Sequence, residues 1–237
     1  MQLYPSKVLP SDWDQFFDEQ RHGTLPGCLQ VFYGQPLIGR DQKIESTDFV
    51  AVDIESTGLD AEADDIVSIG IVPFDSKKIY LSQARHWLTR TRQLTDDSVI
   101  VHHITHSEVA DAPGLAAVLP EVMASLAGKQ IVVHYRYMER EFFRQAVISL
   151  FEQNWLFPVI DTLELEVRQA QRKQAWLDKA LRKAHPSMRL PDVRERYHLP
   201  AYENHNALVD ALATAELWQA QVSHWNIGKT DVRRWWS

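Results

Sequence analysis

Asp53 and Glu55 stand two residues apart at the end of an apolar run, DFVAVDIES at 48–56. Side chains alternate along a strand, so both carboxylates lie on one face, at the strand's C-terminal end. Two ionised carboxylates placed this way repel each other and lose hydration unless a cation sits between them. Oxygen donors alone suit a hard divalent ion, Mg²⁺ or Mn²⁺. A strand running out into water would carry the same pair, and these two residues do not separate the readings. A further carboxylate, Asp210, falls in NHNALVDALATAEL at 204–217, five residues after His205. On a continuous helix five residues subtend ~140°, so the two side chains would diverge. They converge only if His205 lies in the loop before the helix and folds back, which a cap at Asn204 or Asn206 permits. A surface histidine beside an ordinary helical aspartate is the alternative.

The elements that must position these residues follow from the pattern of apolar positions. Residues 48–56, 65–74 and 78–88 read as three strands with short connections, hence an antiparallel meander. The period then changes. Pro113 opens a helix with apolar residues at Leu115, Val118, Leu119, Val122, Met123 and Leu126, and Gly128 stops it. QIVVH at 130–134 reads as a buried strand, 138–151 as a helix, PVIDT at 158–162 as a strand and 163–183 as a long polar helix. Three prolines punctuate a short helix near 186–200, and a last helix starts at about Ala207 and runs to Trp218 or beyond. This order gives an α/β sandwich with a mixed sheet flanked by helices. Residues 1–47 differ: Ser11 is placed to cap a short helix carrying Trp13, Phe16 and Phe17, and an irregular stretch follows. The expected organisation is an N-terminal extension at 1–47 packed on the core, a main domain at 48–224 and a C-terminal tail at 225–237.

VDIESTGL followed by IVSIGIV resembles the first motif of the DnaQ-like (DEDDh-type) 3′–5′ exonucleases, in which Asp-x-Glu precedes Thr-Gly. NHNALVDALATAEL resembles their third motif, HHITHSEVADAP their His-Gly-Ile-Thr segment and VIDTLEL their Asp-Thr-Leu strand. VVHYRYMEREFF falls where the second motif belongs, and the match is collinear over about 48–220. The resemblance implies a ribonuclease H-like fold, two divalent ions and removal of nucleotides from the 3′ end of single-stranded DNA or RNA. Asp53, Glu55 and Asp210 would hold one ion, with Asp53 bridging to a second that Glu139 supports. His205 would be the general base, and Ser56, Thr57, Gly58 and His102 would meet the terminal nucleotide.

This chain departs from the family pattern at Glu139, where the second motif usually has aspartate, and at Tyr135 and Arg136, where Asn-Ala is usual. His103 replaces a usual glycine. The longer Glu139 arm moves the carboxylate by ~1.5 Å, enough to alter the spacing of two ions that lie ~4 Å apart. A glutamate on a helix's first turn also suits the helix dipole without any ligand. The departures keep a second reading open, a catalytically weakened exonuclease fold that binds nucleic acid or a partner protein.

Composition narrows the class. The chain has 237 residues, 45% of them hydrophobic, a formal net charge of −7 and one cysteine, Cys28. That excludes a disulfide framework and a cysteine-rich zinc site, argues against a general basic coat for duplex DNA and leaves a cytoplasmic setting as the default, while the family resemblance includes DNA repair among its roles. No run of ~18 apolar residues occurs, so no membrane association is expected. Residues 53–75 carry seven acids and no Lys or Arg, whereas 165–198 carry nine Lys or Arg against four acids. An acidic pocket beside a basic flank suits a single strand entering 3′ end first, though a long helix with a solvated face would look the same. Trp235 and Trp236 are free to dock on the chain itself, on a second copy in a homodimer or on a partner protein.

Overall fold

The computed structural model describes residues 9–91, 104, 106–177, 187–203 and 205–237. Three strands form first in the chain: β1 (Phe49–Ser56), β2 (Ile66–Phe74) and β3 (Arg85–Leu88), all paired antiparallel. Next come α3 (His106–Ala110), α4 (Leu115–Leu126), β4 (Gln130–Val133), α5 (Tyr137–Phe151) and β5 (Val159–Asp161). The chain continues with α6 (Thr162–Leu177), α7 (Leu190–Arg196) and α8 (Ala207–His224), while α1 (Trp13–His22) and α2 (Gly27–Gly34) precede the sheet. β4 runs parallel to β1 and β5 parallel to β4, giving a mixed sheet in the order β3-β2-β1-β4-β5.

β1 is a central strand buried on both faces, which is why it reads as a continuous apolar run. Its even-numbered residues Val50, Val52 and Ile54 pack with Leu119, Met123, Phe142 and Phe143 of α4 and α5. Its odd-numbered Phe49 and Ala51 pack with Val72, Phe74, Ala211, Ala215 and Trp218, on the α8 side. Period two therefore carries Asp53 and Glu55 onto the face that α8 covers.

Gly70 decides how closely α8 can approach. It pairs with Asp53 across β1 and β2. A Cβ built on it would lie 2.2 Å from the carbonyl carbon and oxygen of Ala207 and 2.4 Å from the Leu208 nitrogen. Only a bare Cα lets the first turn of α8 rest on the sheet, and Asp210 sits within that turn. Gly70→Ala should therefore lift the helix start and cost about 1–3 kcal/mol in urea unfolding, the usual range for overpacking against rigid neighbours. A variant as stable as the parent would mean that the helix start has room to spare.

Several boundaries differ from expectation for local reasons. The first helix is capped by Asp12, not Ser11: its carboxylate accepts from the backbone of Asp14 (2.8 Å) and Gln15 (3.2 Å). The stretch read as irregular holds α2, whose Leu29, Phe32 and Tyr33 join Phe17 of α1 in the core, with Tyr33 donating to the Leu156 carbonyl at 3.1 Å. The third strand is shorter than expected, because a turn of 3₁₀ helix at Leu81–Gln83 precedes it. The last residues fold back on the chain itself. Trp236 bridges to Ile160 beside β5 and donates to Gln130 Oε1 at 2.6 Å, and Arg233 grips Asp14 at 2.7 and 2.8 Å. This contact covers the β5 edge of the sheet, an otherwise open template for pairing. Trp155 and Trp218 are fully buried core residues.

Candidate active site

Asp53, Glu55 and Asp210 converge at the end of β1: each offers a carboxylate oxygen, and the three oxygens lie within 4.8 Å of one another. Asp210 arrives because Ala207, Ala211 and Ala215 give α8 a small-residue face against the sheet. Its helix is capped by Asn206, whose side chain accepts from Leu208 (3.1 Å) and Val209 (3.2 Å).

Glu139, on the first turn of α5, lies outside that close set but within electrostatic reach of it. Its residue exposure is 3%, which removes the reading of a solvated first-turn glutamate. Its Oε2 is buried without a hydrogen-bond partner. Burial, then the charges of Asp161 and Glu55, push the Glu139 carboxyl well above the ordinary range, against the pull of its own backbone N–H and of Arg140. Burial, then Glu139, Asp210 and Glu55, do the same to Asp53. Asp210 is pushed up to about 6, burial again leading, while the His205 backbone N–H holds it back. Four acids so crowded, one with an orphaned buried oxygen, form a site short of positive charge. A hard divalent cation fits this all-oxygen donor set.

His205 lies in the loop before α8, as convergence required. Its backbone adopts φ +68°, a left-handed conformation, and its N–H donates to Asp210 Oδ2 at 2.9 Å. The residue is exposed at the lip of the acid cluster. Asn206, not Asn204, is the cap, and Asn204 lies outside the described residues.

Ser56, Thr57 and Gly58 follow directly on Glu55. They wind the loop after β1 around Asp64: Thr57 Oγ1 donates to Asp64 Oδ1 (3.1 Å), and Ser56 Oγ donates to the Gly58 carbonyl (2.5 Å). A Cβ on Gly58 would collide with the Asp64 carboxylate at 2.3–2.6 Å. A side chain at Gly58 would have to displace the Asp64 carboxylate from Thr57, and Leu59 beside it is left 83% exposed. His102 and His103 lie outside the described residues.

Of the expected basic flank, three described residues, Arg168, Arg194 and Arg196, are committed to partners within the chain. Arg194 is 3% exposed and donates to the Ala213 and Pro200 carbonyls and to Glu216. Arg168 pairs with Glu164, and Arg196 lies 3.5 Å from Glu166. Arg182 and Lys183 lie outside the described residues, as do the side chains of Arg172 and Lys173.

Two features escaped the sequence reading. His86 of β3 sits opposite Gly70, itself opposite Asp53, so it shares the acids' face. Burial holds its imidazole below the usual range, with Glu55 pulling the other way. Asp161, at the end of β5, accepts from the backbone of Tyr135 (3.0 Å), Arg136 (3.1 Å) and Leu163 (3.0 Å), tying the chain after β4 to the start of α6. Its signal was the short strand VID running straight into a helix.

Comparison with known proteins agrees with this geometry. An exonuclease family model, RNase_T, matches residues 50–218. The chain is 29% identical over 177 residues to the PolC-type DNA polymerase III of Thermotoga petrophila, covering 75% of this chain and 12% of that protein. It is 26% identical over 180 residues to the DNA polymerase III subunit epsilon of Treponema pallidum, covering 76% and 79%. The chain thus spans only about an eighth of the PolC-type relatives it matches. The fold is similar to the nuclease domain of 3′hExo, a DEDDh family member solved with rAMP (TM-score 0.60, 14% identity, covering 77% and 94%). Exonuclease I is similar too (TM-score 0.60, 15% identity, covering 75% and 41%). The sheet is ribonuclease H-like, and the chain belongs to the DnaQ-like exonuclease family.

Proposed function

We propose that this protein is a metal-dependent 3′–5′ exonuclease that hydrolyses the terminal phosphodiester of single-stranded nucleic acid. The observation that carries this reading is the convergence of Asp53, Glu55 and Asp210 within 4.8 Å beside the buried, unpartnered Glu139 Oε2. Asp53, Glu55 and Asp210 hold one divalent ion, Mg²⁺ or Mn²⁺, and Asp53 with Glu139 supports a second. The chemistry supplied by ions bound there is a more acidic water and a charge balance for the departing 3′ oxygen. His205 accepts the proton of the attacking water from its place at the rim. The loop at Ser56, Thr57 and Gly58 and the segment containing His102 lie against the terminal nucleotide. Residues 48–224 form the catalytic unit, and the segments at 9–47 and 225–237 beside it are tied to each other through Arg233 and Asp14. Its place of action in this reading is the cytoplasm, on DNA or RNA ends; among the described residues no helix is long and apolar enough to cross a membrane.

The test is a 5′-labelled single strand, DNA or RNA, incubated with purified protein and Mg²⁺ or Mn²⁺. A ladder shortening from the 3′ end is expected, with none in EDTA. Internal cuts, or no cleavage with either ion, would overturn the reading.

Glu139 offers a sharper check. Glu139→Gln should lower the rate about 10–100-fold, the usual scale for groups that support a metal from its periphery. An amide binds Mg²⁺ poorly, and its NH₂ would enter a site crowded with carboxylates. Glu139→Asp should keep most of the rate, and Mn²⁺, less strict about geometry, should partly restore Glu139→Gln. Superimposable Mg²⁺ titrations of parent and Glu139→Gln would place the second ion elsewhere. Burying the Glu139 carboxyl without a partner costs free energy, which a bound cation would offset.

A further inference from the structure

Where the family usually places Asn-Ala, this chain carries Tyr135-Arg136, and Tyr137 follows. β1 and β4 are parallel, so the chain leaving β4 emerges at the same end of the sheet as Asp53 and Glu55. Tyr135 comes two residues after β4, and Glu139 follows it by four. Tyr135 holds φ +86°, a left-handed conformation that a bulky side chain adopts only under constraint. The constraint is Asp161, which takes hydrogen bonds from the backbone N–H groups of Tyr135 and Arg136 at 3.0 and 3.1 Å. The strained backbone aims the Tyr135 ring toward Tyr137, with centroids 5.5 Å apart and planes at 56°.

Arg136 would be the obvious candidate for gripping a phosphate, but its charge is already committed. Its Nη1 donates to Asp161 Oδ2 at 3.1 Å and to Glu164. Its guanidinium carbon lies 4.6 Å from the Tyr137 ring centroid, and its Nη2 donates to the Tyr137 hydroxyl at 3.1 Å. Arg136 therefore orients Tyr137. Both tyrosines are half-buried, so each residue keeps part of its surface open to solvent. Burial, then the neighbouring Tyr137 and the charges of Asp161 and Glu139, raise the Tyr135 phenol above its ordinary range.

We infer that Tyr135 and Tyr137 form an aromatic lip on which a nucleobase flanking the scissile phosphodiester stacks. This deepens, and rests on, the exonuclease reading above. Stacking on tyrosine tolerates any base, because every base presents a π-face, so the lip reads the presence of a base and not its identity.

The test uses the full chain with Ca²⁺ in place of Mg²⁺, and two 5′-fluorescein single strands compared by anisotropy. One ends in ordinary nucleotides; the other is abasic at the last two positions. The parent protein should bind the base-bearing end about tenfold more tightly. Tyr137→Leu and Tyr135→Asn should each bring that ratio close to one. Asparagine tolerates the left-handed backbone at 135, so the loop survives the change. Tyr137→Phe, which keeps the ring, should keep the ratio. A ratio is insensitive to partial misfolding, since inactive protein binds neither strand. A parent ratio of one, or a ratio unmoved in both Tyr137→Leu and Tyr135→Asn, would overturn the lip. If the parent still ladders strands from the 3′ end with Mg²⁺ or Mn²⁺, that result removes the lip alone. Absence of laddering would remove the exonuclease reading itself.

Discussion

Asp53→Asn should abolish cleavage, by about 10³-fold or more, and yet raise the melting temperature of the metal-free protein. The loss follows from position. Asp53 is common to both proposed ion sites, and the several kcal/mol of transition-state stabilisation expected of a bound ion convert to at least that factor. The gain follows from electrostatics. Burial and the charges of Glu139, Asp210 and Glu55 raise the Asp53 carboxyl well above the ordinary range, so its ionised form opposes folding. An isosteric amide removes that repulsion without opening a cavity. On the order of 1 kcal/mol of relief would raise the melting temperature by about 2–4 °C in a chain of this size.

The same reasoning fixes a pH dependence. A carboxyl raised in the folded state, as Asp210 is from 3.8 to about 6, holds a proton there that the unfolded chain has released. Metal-free protein should therefore lose stability as pH rises across that window. Divalent ions reverse the balance at neutral pH: a ligand at a hundred times its dissociation constant adds about 2.7 kcal/mol. Calorimetry with EDTA, then with excess Mn²⁺, reads both effects. A Mn²⁺-induced rise as large in Asp53→Asn as in the parent would remove Asp53 from the metal site.

His205→Asn should lower kcat by about 10²–10⁴-fold, the range for loss of a general base, while the affinity for a single strand in Ca²⁺ stays within about twofold. The structure makes this a clean substitution. Asp210 is tied to residue 205 through the backbone N–H at 2.9 Å, a bond that any residue other than proline supplies. Asparagine also accepts the left-handed φ of +68°. The Mn²⁺-induced rise in melting temperature should accordingly survive in His205→Asn and vanish in Asp53→Asn. Single-turnover rates alongside equilibrium binding separate the cases. A weakened affinity with an unchanged single-turnover rate would assign His205 to holding the strand.

Much of this was legible because it is local. Asp53 and Glu55 share a face by the period of a strand, and β1 announces its central place by being apolar on both faces. The antiparallel meander, the buried QIVV strand and the last helix follow from periodicity and short connections, and the collinear motifs added the expectation of a ribonuclease H-like fold. Periodicity also required His205 to leave the helix if it was to meet Asp210, and it does.

Tertiary structure decided what depends on distant partners. Gly70 looks like any glycine in a strand until Ala207 is found pressed against its bare Cα. Glu139 reads equally well as a dipole-compensating surface residue, and only packing shows it buried with an unpartnered oxygen. Arg194 reads as part of a nucleic-acid flank, but its burial against Glu216 and two carbonyls makes it a structural tie. Trp236 had three open destinations until its indole met Gln130. Sequence pattern reports the face and period of an element, because backbone geometry sets these within a few residues. It does not report which polar group finds a counter-charge, because Coulomb and desolvation energies depend on atoms that only the fold brings together.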